Sequence, residues 1–464
     1  MFYGPSGRLF SPALTRSLKP DSESGSKDVT MQLLNLATLL VLVTAALAVL
    51  NSRFLKLPSS IGVMVGGLGL SLILLALLAF DAPLGRQAVT LVGSINFEGF
   101  VFQGVLSFLL FAGALGVNSH ALWVLKGPVI SFALVSTILS TALIGLVTYG
   151  LLKLFGLNVS LVYCLLFGAL ISPTDPVSVL GVLKQAKVPK RIETLVAGES
   201  LFNDGIGVVA FAVLASVAAA GGDGHAPALS ALGLAGYFFQ EAAGGLLLGT
   251  VVGLIGWAAL RVVHDFEVEV LITLGVVMAC TAIAGALHTS APLAAVAAGL
   301  LVGFLKERVP AGLTSNERFE SVWHLTDELL NIFLFVLLAL EVVVVQFTGT
   351  RLLLGLLAIP LLLLVRAISV RIPVWLLRGR YRFPPYTRRL MVWGGLRGAI
   401  SVALAFSMPA GPERELFLVM TYVIVVFSVI VQGLTVGKLA ARASGPATGG
   451  AGSKGSDTQA QSRI

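Results

Sequence analysis

The chain holds 464 residues, of which 56% are hydrophobic and only 12% charged, and its mean hydropathy is +0.95. Those values exclude a water-soluble globular domain and point to an all-α integral membrane protein. An isoelectric point near 9.6 would suit a nucleic-acid binder, but in a chain this apolar a basic excess reads first as the positive-inside bias of membrane loops.

Residues 1–30 are polar, rich in Ser, Pro and Gly, and lack the apolar core of a signal peptide. They predict a disordered extension, and Met31, which opens the first apolar run, is a candidate translation start. Runs of about 20 apolar residues, enough to cross a hydrocarbon core about 30 Å thick, then predict about thirteen spans. They lie at roughly 31–50, 59–80, 100–118, 129–152, 161–182, 193–219, 232–260, 268–287, 290–305, 322–346, 352–376, 390–409 and 415–437. The remainder, 438–464, is of low complexity and predicts a disordered cytoplasmic tail. The transmembrane domain is thus 31–437.

Loops after the odd-numbered spans carry about 20 Lys and Arg, against about 8 on the other side. The densest clusters are KQAKVPKR (184–191), LRGRYRFPPYTRR (377–389) and the tail. This bias predicts a cytoplasmic C-terminus and, with an odd number of spans, an N-terminus outside. Cys164 and Cys280 both fall in apolar spans with no metal-like spacing, and read as small buried hydrophobes.

An ionisable group within a span costs at least about 2.5–3.5 kcal/mol on insertion scales, so each should be paired or functional. Glu241 and Arg371 lie near span ends and can snorkel, and Asp327 and Glu328 open the tenth span beside Trp323, where interfacial solvation serves. Others lie deeper.

In the fifth span, Pro173 and Pro176 lack N–H groups, so the carbonyls of Ala169 and Ser172 lose their helical partners, and the helix should break at Ser172–Pro176. An unwound segment in a membrane is tolerated where it is buried or lines a cavity, and its carbonyls can coordinate a cation. Asp175 lies at this break, where it could ligate an ion, cap the second half-helix or neutralise a partner.

The sixth span contains ESLFNDG (199–205). Ser200 and Asp204 stack on one helical face, with Glu199 and Asn203 on the adjacent strip. Ser and Asn alone would suit a helix-packing patch, but two carboxylates call for a compensating cation or arginine. Oxygen ligands of this kind suit a hard monovalent cation.

In the twelfth span, Gly394, Gly395 and Gly398 weaken the helix around Arg397, whose best carboxylate partners are Glu199 and Asp175. Counted from the ends, spans 1–6 and 8–13 form two six-span halves, and a displacement of seven spans inverts the second copy. Interrupted spans 5 and 12 then occupy corresponding places, the sequence pointer to a midplane transport site.

GALISPTDPVSVL (168–180), GESLFNDGIGVV (198–209) and GGLRGAISVALA (394–405), with FLLFAGAL (108–115) and FLFVLLALEV (333–342), resemble the monovalent cation:proton antiporters, specifically the bacterial NhaP-like sodium/proton exchangers related to the animal NHE exchangers. The resemblance covers roughly 31–437. It implies a core bundle with two crossed, unwound helices, a dimerisation bundle, a homodimer in the cell (inner) membrane, no cofactor and no catalytic residue.

Carried over by position, Asp204 matches the carboxylate that binds cation and proton in turn, Ser200 a side-chain ligand, and Thr174 a main-chain ligand, so that Na⁺ would sit at Asp204, Ser200 and Thr174. Asp175 and Glu199 match acidic groups near the ion. Asn203 matches the Asn of the Asn-Asp pair of electroneutral members, Arg397 the arginine that pairs with the glutamate of the sixth span, here Glu199, and Arg366 a further arginine of the eleventh span. The function implied is exchange of Na⁺ or Li⁺ for H⁺, one for one.

A potassium/proton or mixed-cation antiporter is the alternative, because ligand types do not separate Na⁺ from K⁺. An intramembrane aspartyl protease would need Tyr-Asp and Gly-x-Gly-Asp motifs, whereas Asp204 follows Phe-Asn and Asp175 follows Pro-Thr. A cation channel would have no use for proton competition.

Overall fold

The computed structural model describes residues 22–80, 82–93, 95–220, 231–263, 265–307 and 316–443. Along the chain the helices are α1 (Ser22–Leu50), α2 (Ser59–Ala79), α3 (Pro83–Gly93), α4 (Phe97–Gly99), α5 (Leu106–Leu115), α6 (Ser119–Val124), α7 (Lys126–Ile130), α8 (Thr137–Leu154), α9 (Leu161–Ile171), α10 (Val177–Gln185), α11 (Lys190–Ala220), α12 (Ala231–Leu260), α13 (Phe266–Leu287), α14 (Ala291–Lys306), α15 (Asn316–Glu341), α16 (Gly349–Leu377), α17 (Thr387–Trp393), α18 (Ala399–Phe406), α19 (Pro412–Phe427) and α20 (Gly433–Ala443). Wider π-type turns continue α1 to Leu55 and join α4 to α5, α7 to α8 and α19 to α20 into longer rods. Among the described residues the only β pairing is an isolated antiparallel bridge between Asp175 and Leu396.

Among the described residues, ten helical stretches are long and apolar enough to cross a membrane. Each coincides with one of the thirteen runs expected from hydropathy. The other three runs differ in form. Residues 290–305 make the shorter α14, whose start is set by Ser290 accepting a hydrogen bond from Leu293 N (3.3 Å) and by Pro292 in the first turn. Residues 161–182 and 390–409 are each two short helices, α9 with α10 and α17 with α18, separated by non-helical backbone at 172–176 and 394–398.

The expected disordered ends are corrected where they are described. Residues 22–30 are helical, because α1 extends N-terminally from the apolar run, and propagation adds a hydrogen bond for each residue fixed. Residues 438–443 continue α20. Residues 1–21 and 444–464 lie outside the described residues.

Two packed groups of helices emerge. In one, α12 and α13 pack on α14, α14 on α5, and α15 on α2 and α5; in the other, α9 packs on α8, α11 and α18, and α16 packs on α8 and α19. Small residues allow the close approaches: a Cβ on Gly249 would strike the Ala294 carbonyl, and one on Gly168 would strike the Thr141 carbonyl. The α11 helix touches both groups, meeting α9 on one side and α12 and α14 on the other. Burial follows position, since the α19–α20 rod is 72% buried over its most apolar window and Ala37–Leu55 only 17%.

Candidate functional site

The helix break at 172–176 arises as its two prolines require, and both lost hydrogen bonds are replaced. The Ala169 carbonyl accepts the Ser172 hydroxyl (3.2 Å). The Ser172 carbonyl accepts Arg397 Nη1, which also reaches the Pro173 carbonyl at 2.6 Å. Arg397 comes from the second break, and Asp175 N donates to the Leu396 carbonyl at 2.8 Å across the crossing. A Cβ on Gly398 would come within 3.0 Å of Asp175 Cβ, so the absence of a side chain there permits the approach.

Expected pairing of Arg397 with Glu199 is corrected by this geometry. Arg397 is 1% exposed, directs Nη1 to two peptide carbonyls while its Nε finds no partner, and has its own backbone N–H held by Ser428 Oγ (2.9 Å). Glu199 instead binds Arg366 of α16, through Nη1 to Oε1 at 2.6 Å and Nη2 to Oε2 at 2.9 Å. The first contact is ionic without good hydrogen-bond alignment; the second is a hydrogen bond. Arg366 also donates to the Met391 carbonyl from Nε (3.3 Å) and Nη2 (3.1 Å), tying α11, α16 and α17 together. A side chain's strip on a helix follows from spacing, but the segment facing that strip is chosen by packing.

Asn203 parts from Glu199 although the two share a strip of α11. Its strip neighbour Glu199 turns to α16, but Asn203 Nδ2 donates to Thr174 Oγ1 (2.8 Å) and its Oδ1 accepts Thr174 N (3.4 Å). Ser200 Oγ lies 3.0 Å from the same Thr174 hydroxyl. Thr174 is thereby fixed from both sides by α11, and all three side chains are buried. Gly205 and Gly207 let α11 sit this close, the first against Leu293 of α14 and the second against Pro173.

Asp204 lies one helical turn beyond Ser200 and is 5% exposed. It has no hydrogen-bond or ion-pair partner among the described residues, while the charges of Asp175 and Arg397 act on it through space. Asp204 thus stands apart from the ion pair of Glu199 with Arg366, in the through-space field of Asp175 and Arg397. An isolated buried carboxylate is costly, so this site has a physical requirement for one added proton or one monovalent cation.

Three features escaped sequence reasoning. Asp327 is half-buried rather than solvated at an interface: its Oδ1 accepts Asn331 Nδ2 at 3.1 Å, and Asp175 and Lys184 are among the charges acting on it. The spacing of Asp327 and Asn331 by four was the available signal. Glu241 is half-buried with Oε2 unpartnered, so it does not snorkel fully to solvent, whereas Arg371 is exposed as expected. Finally, Glu269 and Lys306 form a buried ion pair (3.1 Å) that hydropathy hides because both lie at helix ends.

The transmembrane sodium/hydrogen exchanger family model matches residues 39–442. The Na⁺/H⁺ antiporter NhaP of Pseudomonas aeruginosa is 39% identical over 416 residues, covering 88% of this chain and 97% of the relative. Human sodium/hydrogen exchanger 3 is 31% identical over 322 residues, covering 67% of this chain and 38% of that longer protein. Among solved structures, the sodium proton antiporter MjNhaP1 from Methanocaldococcus jannaschii matches with a TM-score of 0.68 at 19% identity, over 90% of this chain and 99% of that one, a likeness of fold.

Proposed function

The chain belongs to the sodium/hydrogen exchanger family, and from that premise we propose that it exchanges Na⁺ or Li⁺ for H⁺ across the cell membrane, one ion for one proton, with Asp204 as the shared site. It is a transporter rather than an enzyme, and its ions are substrates that need no cofactor. The observation that carries the proposal is Asp204 itself, a carboxylate 5% exposed beside the crossing with no hydrogen-bond or ion-pair partner among the described residues.

One proton or one monovalent cation neutralises that charge, and the two exclude each other because they use the same oxygens. Exchange follows if the helix group holding α9, α11 and α18 moves only when neutral, since an uncompensated charge would be dragged through an apolar interface. Ser200 and the Thr174 main chain are the oxygen ligands proposed beside Asp204. Asn203 and Arg397 position them, the first by clamping Thr174 and the second by holding the Ser172 and Pro173 carbonyls. Arg366 keeps Glu199 neutralised, so the glutamate adds no second charge and the stoichiometry stays at one.

The membrane arrangement proposed with this mechanism is thirteen crossings, counting α14 and the two broken helices, in two inverted halves with the C-terminus cytoplasmic. A homodimer through the poorly buried first spans completes the reading. Potassium in place of sodium is the second reading, as hydroxyl, carbonyl and carboxylate oxygens serve both. The test is cation-dependent proton flux in proteoliposomes across Na⁺, Li⁺ and K⁺, with and without a membrane potential. Flux that Na⁺ or Li⁺ elicits and that voltage does not alter is expected; a steep voltage dependence defeats one-for-one exchange, and a response to K⁺ alone establishes the second reading.

A further inference from the structure

The basic loop between α16 and α17 is not used by the exchange mechanism. No Asp or Glu occurs between Arg366 and Glu413, yet Arg371, Arg378, Arg380, Arg382, Arg388 and Arg389 all fall there. All six are exposed, and none has an ion-pair partner among the described residues. Positive-inside bias explains the charge but not the architecture, because two of these arginines, Arg388 and Arg389, line a cavity of about 440 Å³ together with Val374, Phe383, Pro384 and Tyr386 among others.

That cavity is held open by ordered structure. Phe383 packs edge-on against Phe132 with ring centres 6.0 Å apart. Thr387 Oγ1 donates to the Pro384 carbonyl at 2.7 Å, and Tyr386 takes the left-handed conformation (φ 68°) to turn the chain into α17. Its volume lies within the range of small-ligand sites. Toward the membrane, the end of α16 exposes Ile372, Trp375 and Leu376 at 38%, 60% and 61%, and Arg378 lies over the Trp375 ring at 5.8 Å. Planar guanidinium donors above an exposed apolar strip repeat the order of a phospholipid, phosphate first and acyl chain beneath.

We propose that this cavity binds the headgroup phosphate of an anionic phospholipid, gripped by Arg388 and Arg389, with an acyl chain along Ile372, Trp375 and Leu376. Basic pockets at the ends of membrane helices recognise such headgroups. The consequence for transport lies in α17, which starts in this loop and ends at the break carrying Arg397, and whose Met391 carbonyl is held by Arg366. A bound lipid would fasten the outer end of the segment that organises the ion site. The proposal rests on the membrane reading of the chain and is independent of which ion is exchanged.

The test uses the full chain in neutral detergent, with lipid retention read by native mass spectrometry and thermal unfolding, neither of which depends on transport. Phosphatidylglycerol should be retained over phosphatidylcholine, and R388Q/R389Q should lower that preference by on the order of tenfold or more, at roughly fivefold for each arginine. R389Q alone, the milder variant should the double change not fold, should lose about fivefold. K187Q/K190Q, which removes two charges from the 184–191 loop, should leave the preference within about twofold, since those charges lie outside the cavity. Unchanged preference in R389Q or R388Q/R389Q, or an equal loss in K187Q/K190Q, overturns the site. Equal stabilisation by inorganic phosphate assigns the cavity to a free anion and overturns the lipid. D204N should retain lipid as the unaltered chain does, so failure of the exchange reading and failure of this one are separable.

Discussion

Asp204 and Glu269 are both carboxylates removed almost entirely from solvent on long apolar helices, yet they are treated in opposite ways. Glu269, in the first turn of α13, accepts Lys306 Nζ at 3.1 Å, and that ammonium also lies 3.3 Å from the centre of the Phe319 ring. The surroundings are closed as well, for Thr273 Oγ1 donates to the Glu269 carbonyl (3.1 Å) and accepts Trp323 Nε1 (3.1 Å). Asp204 has none of this. Burial of a charge therefore does not by itself distinguish the proposed transport site; what distinguishes Asp204 is that no group among the described residues compensates it. The same contrast recurs along α11, where Glu199 is satisfied by Arg366 and Asp204, five residues on, is open.

The contrast breaks most directly at Asp204. D204N should reduce cation-dependent proton flux in proteoliposomes to background, a loss of at least about 100-fold, while leaving thermal stability unchanged or raised because no partner is orphaned. Retained flux would remove Asp204 from the shared site. K306M should do the reverse. It leaves Glu269 charged and unpaired, costing about 3–5 kcal/mol in a denaturant titration, and E269Q/K306M should recover much of that loss, with flux per folded molecule preserved throughout.

A double-mutant cycle then tests the corrected pairing. E199Q with R366Q should give a coupling of about 1–3 kcal/mol in stability, larger than E199Q with R397Q, because Arg366 and not Arg397 contacts the carboxylate. Equal couplings would restore the pairing read from the sequence.

The proposed competition of proton and cation at Asp204 carries a pH dependence. Below the pH at which the proton dominates the site, the apparent KM for sodium in flux assays should rise by roughly tenfold per pH unit, since one proton must leave for each cation bound. An apparent KM independent of pH would mean separate sites. The smallest effect is expected for S200A, which removes one oxygen and its 3.0 Å contact with Thr174. A net hydrogen bond is worth about 1 kcal/mol, so KM should rise by roughly fivefold with kcat little changed.

Much was legible before any coordinates. Apolar length located all ten spanning stretches among the described residues, because a hydrocarbon core about 30 Å thick demands about 20 apolar residues, but not the short α3 and α6 between them. Pro173 and Pro176, three residues apart, announced the first break by removing two helical hydrogen bonds from one turn, whereas α16 runs on through the widely spaced Pro360 and Pro373, and the glycines flanking Arg397 announced the second. Helical spacing placed Ser200 and Asp204 on one strip of α11. Partnerships were not legible. Arg366 and Glu199 are 167 residues apart, and Arg397 and Ser172 are 225 apart. Periodicity fixes which way a side chain leaves its own helix, but only the packing of α11 between α9, α16 and α14 decides what it meets. That packing gave Arg397 to the Ser172 and Pro173 carbonyls, gave Asn203 to Thr174, and left Asp204 without a partner among the described residues.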